Sequence, residues 1–479
     1  MIEKAVVYLI GGVFFGAIAL AFGIIVIVPA IFVAGGVALY MHITWKPAGN
    51  IIAEPKEEEP VVTYDLIKSA RMEHFHLIAG SGYGKSQFIE FLWQRDIRED
   101  AAVIVIDSQG DMIERMQRVH TGRTILIDPR YSPSLNIFSQ PDRAYAPLVR
   151  EQLQAGIIEL YSYVFASIAA EMTSKQSVAF SFVVRLMLAT EGATIHTLLK
   201  LMEGKETDFD VSKLDPIAQD FFRNQFFDRQ FSQTRQQIAR RLYAVLSVPA
   251  FDRMFSSPVN RLDMFKCLQE KKIVLVNTSK ALLKSDASAL FGRWMIAQTL
   301  AAAFERAGTK FRPPAYLLID EFSDYMDDSM ESLLSQARKY NLGCLIAHQH
   351  MDQLTPALRA SVSANTSIKM AGGVSDKDAR ALASDFRVPH ELFSQLQKYK
   401  GGADFLIHIR NKLPRAECIN IPFGTLKPDM TDEEHKQFIV ENNRALTHKA
   451  PELPQEPANT TSVKQVADDP AMIPRGKVW

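Results

Sequence analysis

A glycine-rich segment near the start of the chain has the residue types that a phosphate-binding loop needs. It runs from Ala79 to Ser86 with the sequence AGSGYGKS. Glycines let consecutive backbone N–H groups turn toward phosphate oxygens, and the positive end of a following helix adds to the attraction. Lys85 is predicted to reach the β- and γ-phosphates of a nucleoside triphosphate, and Ser86 to ligate Mg²⁺. The other predicted loop residues are Gly80, Ser81, Gly82, Tyr83 and Gly84.

The flanking sequence favours this interpretation over a chance glycine-rich loop. Residues 75–78 form a mostly apolar run that suits a short buried strand, and residues 87–93 suit a helix. Strand, loop and helix in this order are the context that a P-loop requires. The strict pattern begins with glycine where this chain has Ala79, which is a mild departure.

A second motif supplies two carboxylates further along the chain. Residues 315–322 read AYLLIDEF, an apolar strand that ends in Asp320 and Glu321. Asp320 is predicted to hold Mg²⁺, and Glu321 to orient or deprotonate the attacking water. Such a strand is common by itself, so its functional interpretation depends on the P-loop. Together the two motifs predict an ATPase that binds ATP and Mg²⁺.

A third apolar strand, residues 343–347, ends at His348-Gln349-His350. Gln349 is predicted to contact both the γ-phosphate and the lytic water. The alternative is that Gln349 only caps the following helix. The two histidines lie two residues apart and have no acidic cluster beside them. This pattern indicates loop residues rather than metal ligands.

The remaining strand signals indicate an α/β fold with a mostly parallel sheet covered by helices. Three aspartates, at strand ends or just beyond, are either turn and N-cap residues or functional ones: Asp107, Asp111 and Asp128. The apolar runs occupy residues 103–107, 124–128, 272–277, 366–370 and 403–409, and alternate with helical stretches such as residues 287–306.

Between residues 140 and 260 the strand signal gives way to helical patterns at residues 148–165, 177–188 and 219–246, which predicts an all-α insert. Arginines and phenylalanines are interspersed from Phe221 to Arg253. They could track a nucleic-acid backbone and stack bases. The favoured alternative is an amphipathic helix with phenylalanines in the core and arginines in water.

The first residues have a different character. Residues 5–40 contain no charged side chain. One helix of this length would measure ~54 Å, so two spans fit a ~30 Å hydrocarbon core better. A signal peptide would have a shorter apolar region. Lys4 and Lys46 flank the block and favour both ends inside. We therefore expect two membrane spans, with both ends and the bulk of the chain on the cytoplasmic side.

Overall composition limits the remaining function classes. The chain has 479 residues, with 54 Lys and Arg against 54 Asp and Glu. A net charge of zero excludes a uniformly basic nucleic-acid coat, but not local binding by positioned arginines. Three cysteines without a C-x-x-C pair argue against a disulfide scaffold or a zinc site. The predicted domains are a transmembrane hairpin (1–46), a linker (47–63), a nucleotide-binding domain in two parts (64–139 and 261–425), the all-α insert (140–260), and a helix with a disordered tail (426–479).

With these motifs in this order, the chain resembles the coupling ATPases of conjugative type IV secretion, which belong to the RecA-like, ring-forming DNA pumps. The more specific matches are VIVIDSQGD at residues 103–111 and ARKYNLGCLIAHQ at residues 337–349. The resemblance covers roughly residues 5–425. The chain departs from the family in two features. It has almost no loop between the predicted spans, and its C-terminal tail is short and nearly balanced in charge.

The resemblance implies a homo-hexamer attached to the bacterial inner membrane, which uses ATP to move single-stranded DNA, with its attached relaxase, toward the secretion channel components. Arg338 matches the position of the arginine that completes a neighbouring subunit's site in that family. Two alternatives remain open. One is a membrane-tethered translocase of duplex DNA, and the other is a cargo-docking platform in which ATP mainly drives ring assembly.

Overall fold

The computed structural model describes residues 62–139, 143, 147–166, 174–204, 209–326 and 336–448. The predicted transmembrane hairpin, nearly all of the predicted linker and the C-terminal tail beyond residue 448 lie outside these ranges.

The predicted localisation, an inner-membrane protein with two spans, needs correction. In the described ranges no helix has both the length and the apolar character to cross a membrane. The prediction rested on the apolar composition of residues 5–40, which lie outside the described residues. Apolar composition indicates a span only where it coincides with a helix of about 20 residues.

Ten strands in the described part of the chain form one sheet in the order β10-β9-β7-β1-β6-β5-β2-β4-β3, with β8 paired to β9. The seven strands from β7 to β3 in this order are parallel, whereas β9 is antiparallel to β7, β8 and β10. The strands are β1 (Phe75–Ala79), β2 (Ala102–Asp107), β3 (Thr124–Ile127), β4 (Ile273–Asn277), β5 (Ala315–Ile319), β6 (Leu342–His348), β7 (Ile368–Gly372), β8 (Lys398–Tyr399), β9 (Gly402–Ile409) and β10 (Glu417–Pro422).

Helices connect the strands and cover the sheet. In chain order they are α1 (Tyr64–Lys68), α2 (Lys85–Asp96), α3 (Asp111–Met116), α4 (Pro147–Ala166), α5 (Ser174–Ala189), α6 (Ile195–Met202), α7 (Pro216–Phe221), α8 (Arg229–Leu246), α9 (Pro249–Phe255), α10 (Met264–Gln269), α11 (Lys280–Glu305), α12 (Pro356–Asn365), α13 (Asp376–Phe386), α14 (Glu391–Ser394) and α15 (Asp432–Leu446). At the start of α15, Thr431 and Glu434 form a reciprocal capping box.

Both faces of the sheet are buried. In β2, Ile104 and Ile106 belong to one hydrophobic cluster, whereas Val103 and Val105 belong to another. Successive side chains of a strand point to opposite faces, so this alternation places a core on each side. A strand buried on both faces has a continuous apolar sequence, as the parallel strands here do. The predicted mixed α/β fold with a mostly parallel sheet is confirmed.

The helices between β3 and β4 share their core with one face of the sheet. Phe180, Leu198 and Leu242 lie in the same hydrophobic cluster as Ile104 and Ile319. The stretch expected as one helix at residues 219–246 is divided. A π-helical turn, Phe222–Phe226, follows α7, and the Asp228 carboxylate then caps α8. Four of the five phenylalanines between residues 221 and 231 are buried, and Phe227 is 46% exposed. The favoured assignment of the phenylalanines to the core therefore holds for four of the five.

Candidate active site

The glycine-rich loop connects β1 to α2 near the middle of the sheet. Because β1 lies parallel to β6 on one side and β7 on the other, the carboxyl ends of the three strands meet at one edge, where such sheets bind ligands. Gly84 has a φ of 115°, and a Cβ there would lie 2.5 Å from the Phe423 ring. Glycine at this position therefore allows both the turn into α2 and the close approach of an aromatic side chain.

The loop rests on two glycines that the sequence analysis did not single out. The Gly80 N–H donates to the Gly372 carbonyl at the end of β7 over 3.3 Å. A Cβ on Gly373 would lie 2.2 Å from the Tyr83 ring. That ring packs edge-on against Phe405, with ring centroids 5.5 Å apart. Two consecutive glycines directly after an apolar strand were the signal in the sequence.

Lys85 binds both acids of the second motif. Its Nζ donates to Oε1 of Glu321 over 2.7 Å and also to Oδ1 of Asp320. The lysine side chain is 8% exposed. Burial by itself would lower the pKa of Lys85, but the two carboxylates outweigh it and the pKa is raised. The site therefore holds a buried positive charge between two carboxylates. Phosphate oxygens can replace these carboxylates as the partners of the lysine.

The oxygen atoms beside this lysine fit a magnesium ion. The Ser86 hydroxyl donates to Oδ2 of Asp320 over 2.9 Å. Hydroxyl and carboxylate oxygens are the ligand types that Mg²⁺ takes, usually with waters and substrate phosphates completing the octahedron. The two side chains that the sequence predicts as metal ligands thus lie in direct contact.

Glu321 and Gln349 lie together at the ends of β5 and β6. Gln349 Nε2 donates to Oε1 of Glu321 over 2.8 Å. The capping contact at this strand end belongs to Gln353, whose Oε1 accepts from the backbone N–H of Gln349 over 2.8 Å. Glu321 has a φ of 50°, a strained conformation that is concentrated at functional sites. The Gln349 side chain therefore faces the carboxylate rather than serving as a cap.

The three aspartates lie where strands end or helices begin. Asp107 accepts from the backbone N–H groups of Gln109 and Met112 over 2.8 and 3.0 Å, and burial raises its pKa, with the charge of Asp320 adding to the effect. Asp128 accepts from the Arg130 backbone and side chain, and Asp111 begins α3. These contacts fit the turn and cap alternative.

Arg338 does not lie with these groups. It begins a short 3₁₀ turn before β6, and its guanidinium donates to Glu73 over 2.9 Å. The arginine side chain is 60% exposed. Its expected role, in the site of another subunit, stays a prediction.

A wall of the site comes from a part of the chain that the sequence analysis left unassigned. Lys398, Tyr399 and Lys400 line the same pocket as the P-loop, both acids and Gln349. Phe423 lines it as well, and Lys398 Nζ donates to the Gly82 carbonyl over 2.5 Å. The pocket has a volume of about 530 Å³, within the range of small-molecule sites.

Comparisons with known proteins agree with this geometry. The family model described as "Helicase HerA, central domain" matches residues 49–291, slightly more than half of the chain. No curated protein sequence matches the chain significantly.

The fold is similar to that of a conjugative coupling protein. The plasmid coupling protein TrwB in complex with ADP and Mg²⁺ is 12% identical, with a TM-score of 0.57, and the match covers 78% of this chain and 92% of that one. An unbound form of the bacterial conjugative coupling protein TrwBdeltaN70 is 13% identical, with a TM-score of 0.54, over 79% of this chain and 92% of that one. At this identity the likeness shows a common fold. From the family match and the site together, the chain belongs to the HerA helicase family and is a P-loop ATPase.

Proposed function

We propose that this ATPase couples ATP hydrolysis to the movement of single-stranded DNA, with an attached relaxase, into a type IV secretion channel. The observation that carries the proposal is the cluster of Lys85, Asp320, Glu321 and Gln349. This cluster lies at the edge of the sheet. The fold that contains it is similar to that of a conjugative coupling protein, in a match that covers 92% of that protein's chain. ATP and Mg²⁺ are the ligands that the cluster fits.

The ion pairs of the site suggest how it responds to ATP. Lys85 exchanges its two carboxylate partners for the β- and γ-phosphate oxygens. Asp320 is then free to hold the metal with the Ser86 hydroxyl, which already lies 2.9 Å from it. Mg²⁺, when bound, neutralises charge on the phosphates.

Release of Glu321 by Lys85 makes its carboxylate available to the attacking water. Glu321 then accepts the proton of that water or orients it for attack on the γ-phosphorus. Gln349, which donates to Glu321 over 2.8 Å, is within reach of the same water. Nucleotide binding and activation of the base are thereby coupled, because the lysine that binds the phosphates is the one that releases Glu321.

Assembly into a homo-hexamer would complete the site. An arginine from a neighbouring subunit stabilises charge that develops on the γ-phosphate, and Arg338 is our candidate. It lies on the surface, with its side chain 60% exposed. Hydrolysis would then depend on ring formation, and the helices between β3 and β4 would help to choose the cargo.

Two alternative functions deserve direct tests. The family description names a helicase rather than a secretion component, which favours a duplex-DNA translocase as the second candidate. A cargo-docking platform, in which ATP mainly drives ring assembly, is the third.

ATP turnover of the full-length chain without DNA, with single-stranded DNA and with duplex DNA distinguishes these functions. The proposal predicts stimulation by single strands, abolished in Lys85→Ala and Glu321→Gln. Glu433→Gln is the matched control, because Glu433 is 84% exposed on α15. Stimulation by duplex alone would favour the second candidate. Turnover that is absent or insensitive to any DNA would contradict both translocase functions.

A further inference from the structure

The two ends of the nucleotide pocket differ in chemistry. At one end lie Glu321 and Gln349, joined over 2.8 Å, where the γ-phosphate must react. Tyr399, Lys400 and Phe423 also line the pocket, and they come from the β8, β9 and β10 part of the sheet, on the other side of β1 from β5 and β6. A triphosphate that lies along the P-loop with its γ-phosphate at the first end must direct its nucleoside toward the second.

The second wall is aromatic and open to a ligand. Tyr399 lines this pocket and is 45% exposed. Tyrosine buries a large apolar ring and keeps a polar tip, so it favours sites where one face can be covered. Its exposed ring can therefore contact a planar group of a ligand.

Backbone hydrogen bonds hold this wall against the P-loop before any ligand arrives. The Phe423 N–H donates to the Gly401 carbonyl over 2.9 Å. The Gly424 N–H donates to Oε1 of Gln87, in the first turn of α2, over 2.7 Å. The Phe423 ring lies so close to Gly84 that a Cβ there would be 2.5 Å from it. The aromatic wall is therefore fixed relative to the phosphate-binding loop.

We propose that Tyr399 and Phe423 form the nucleobase subsite, in which the base of the bound nucleotide stacks on the aromatic wall between β8 and the end of β10. The proposal rests on the proposed function only in that the site binds ATP. Stacking tolerates any base because each has a π-face. The subsite therefore adds affinity for nucleotides over free polyphosphate.

The test compares a ligand that has a base with one that lacks it. Dissociation constants for a non-hydrolysable ATP analogue and for inorganic tripolyphosphate, both with Mg²⁺, are measured by calorimetry on the full-length chain. In Tyr399→Ala we expect the analogue to bind roughly tenfold or more weakly, while tripolyphosphate binds as it does to the wild type. Tyr399→Phe, which keeps the ring, should bind the analogue nearly as well as the wild type does.

Phe311→Ala serves as the control, because it removes an exposed aromatic ring outside this pocket. Equal weakening of both ligands in Tyr399→Ala would overturn the proposal, since the residue would then act through the phosphate end. An unchanged affinity for the analogue, or equal losses in Tyr399→Ala and Tyr399→Phe, would overturn it as well. The readout is binding, so a failure of DNA-stimulated turnover, which would end the proposed function, is a separate result.

Discussion

At the scale of single residues, the site is a small network of ion pairs centred on Lys85. Lys85 forms ion pairs with both Asp320 and Glu321 in a place where unpaired carboxylates would be costly to bury. In the proposed mechanism the same lysine binds phosphate, so the carboxylates are freed only when a polyanion replaces them. That arrangement would keep Glu321 from acting as the base until a triphosphate is in place.

The support beneath the loop yields a prediction at this scale. Gly373→Ala would place a Cβ 2.2 Å from the Tyr83 ring at a φ of +58°, so the loop or β7 must shift. We expect the affinity for a non-hydrolysable ATP analogue to fall at least tenfold, equivalent to about 1.4 kcal/mol, as measured by calorimetry.

Gly308→Ala is the matched control, because nothing lies within 4 Å of the added Cβ. If Gly373→Ala bound the analogue as tightly as Gly308→Ala, the glycine pair would have no role in shaping the loop.

Local motifs predicted most of the residues that meet in the site. Lys85, Ser86, Asp320, Glu321 and Gln349 each follow a strand in a recognisable pattern, and the parallel sheet brings the strand ends together. The aromatic wall was missed because its contact with the P-loop joins residues more than 300 positions apart. No local spacing carries that information.

At the scale of elements, a buried histidine pair joins β1 to β6 beneath the site. Nε2 of His76 and Nε2 of His348 lie 2.7 Å apart, and Nδ1 of His348 lies 3.1 Å from the His350 carbonyl. A nitrogen bonded to a carbonyl must carry the proton, so Nε2 of His348 accepts from His76. The pair fixes the strand end from which Gln349 projects.

This pair predicts a pH dependence of stability. Burial lowers the pKa of His348 to about 4, against 6.5 in an unfolded chain. Between these values the unfolded state binds more protons, so stability falls as pH falls through this window. At pH 5 the loss from His348 is about 2 kcal/mol. In His348→Asn, whose amide can still donate to the His350 carbonyl, we expect the pH 7 to pH 5 loss of unfolding free energy to shrink by this amount.

Urea denaturation at both pH values measures the difference. His120→Asn, a change at an exposed position, should leave the wild-type difference intact. An equal loss in the wild type and in His348→Asn would mean that the pair does not titrate as described.

The elements show where sequence patterns succeed and fail. Strands buried on both faces have continuous apolar sequences, and those were found within one or two residues. β10 (ECINIP) is partly exposed along its length and gave no such run. The break before α8 was missed as well, because the Asp228 cap lies inside an otherwise continuous helical pattern.

At the scale of the whole molecule, charge alone does not attract DNA, since the 54 basic residues equal the 54 acidic ones. Under the proposed function, DNA binding would then come from residues positioned by assembly. The ring hypothesis makes Arg338 of one subunit part of its neighbour's site, which mixing two defective variants can reveal.

Lys85→Ala and Arg338→Ala should each hydrolyse little ATP alone. In mixed rings, an intact Lys85 in one subunit meets an intact Arg338 in the next, and random mixing at equal amounts should restore up to about a quarter of wild-type turnover. Arg415→Ala, whose side chain is 71% exposed, should be active by itself. Mixed samples no more active than the separate variants would contradict an arginine acting between subunits.

The central claim, that hydrolysis drives movement along single-stranded DNA, is tested most directly by displacement of streptavidin from biotin-labelled single strands. We expect the wild-type chain to displace streptavidin when ATP and Mg²⁺ are present, and Glu433→Gln to do so at the same rate. Glu321→Gln should bind ATP and displace none. Hydrolysis by the wild type without any ATP-dependent displacement from either strand end would contradict the account.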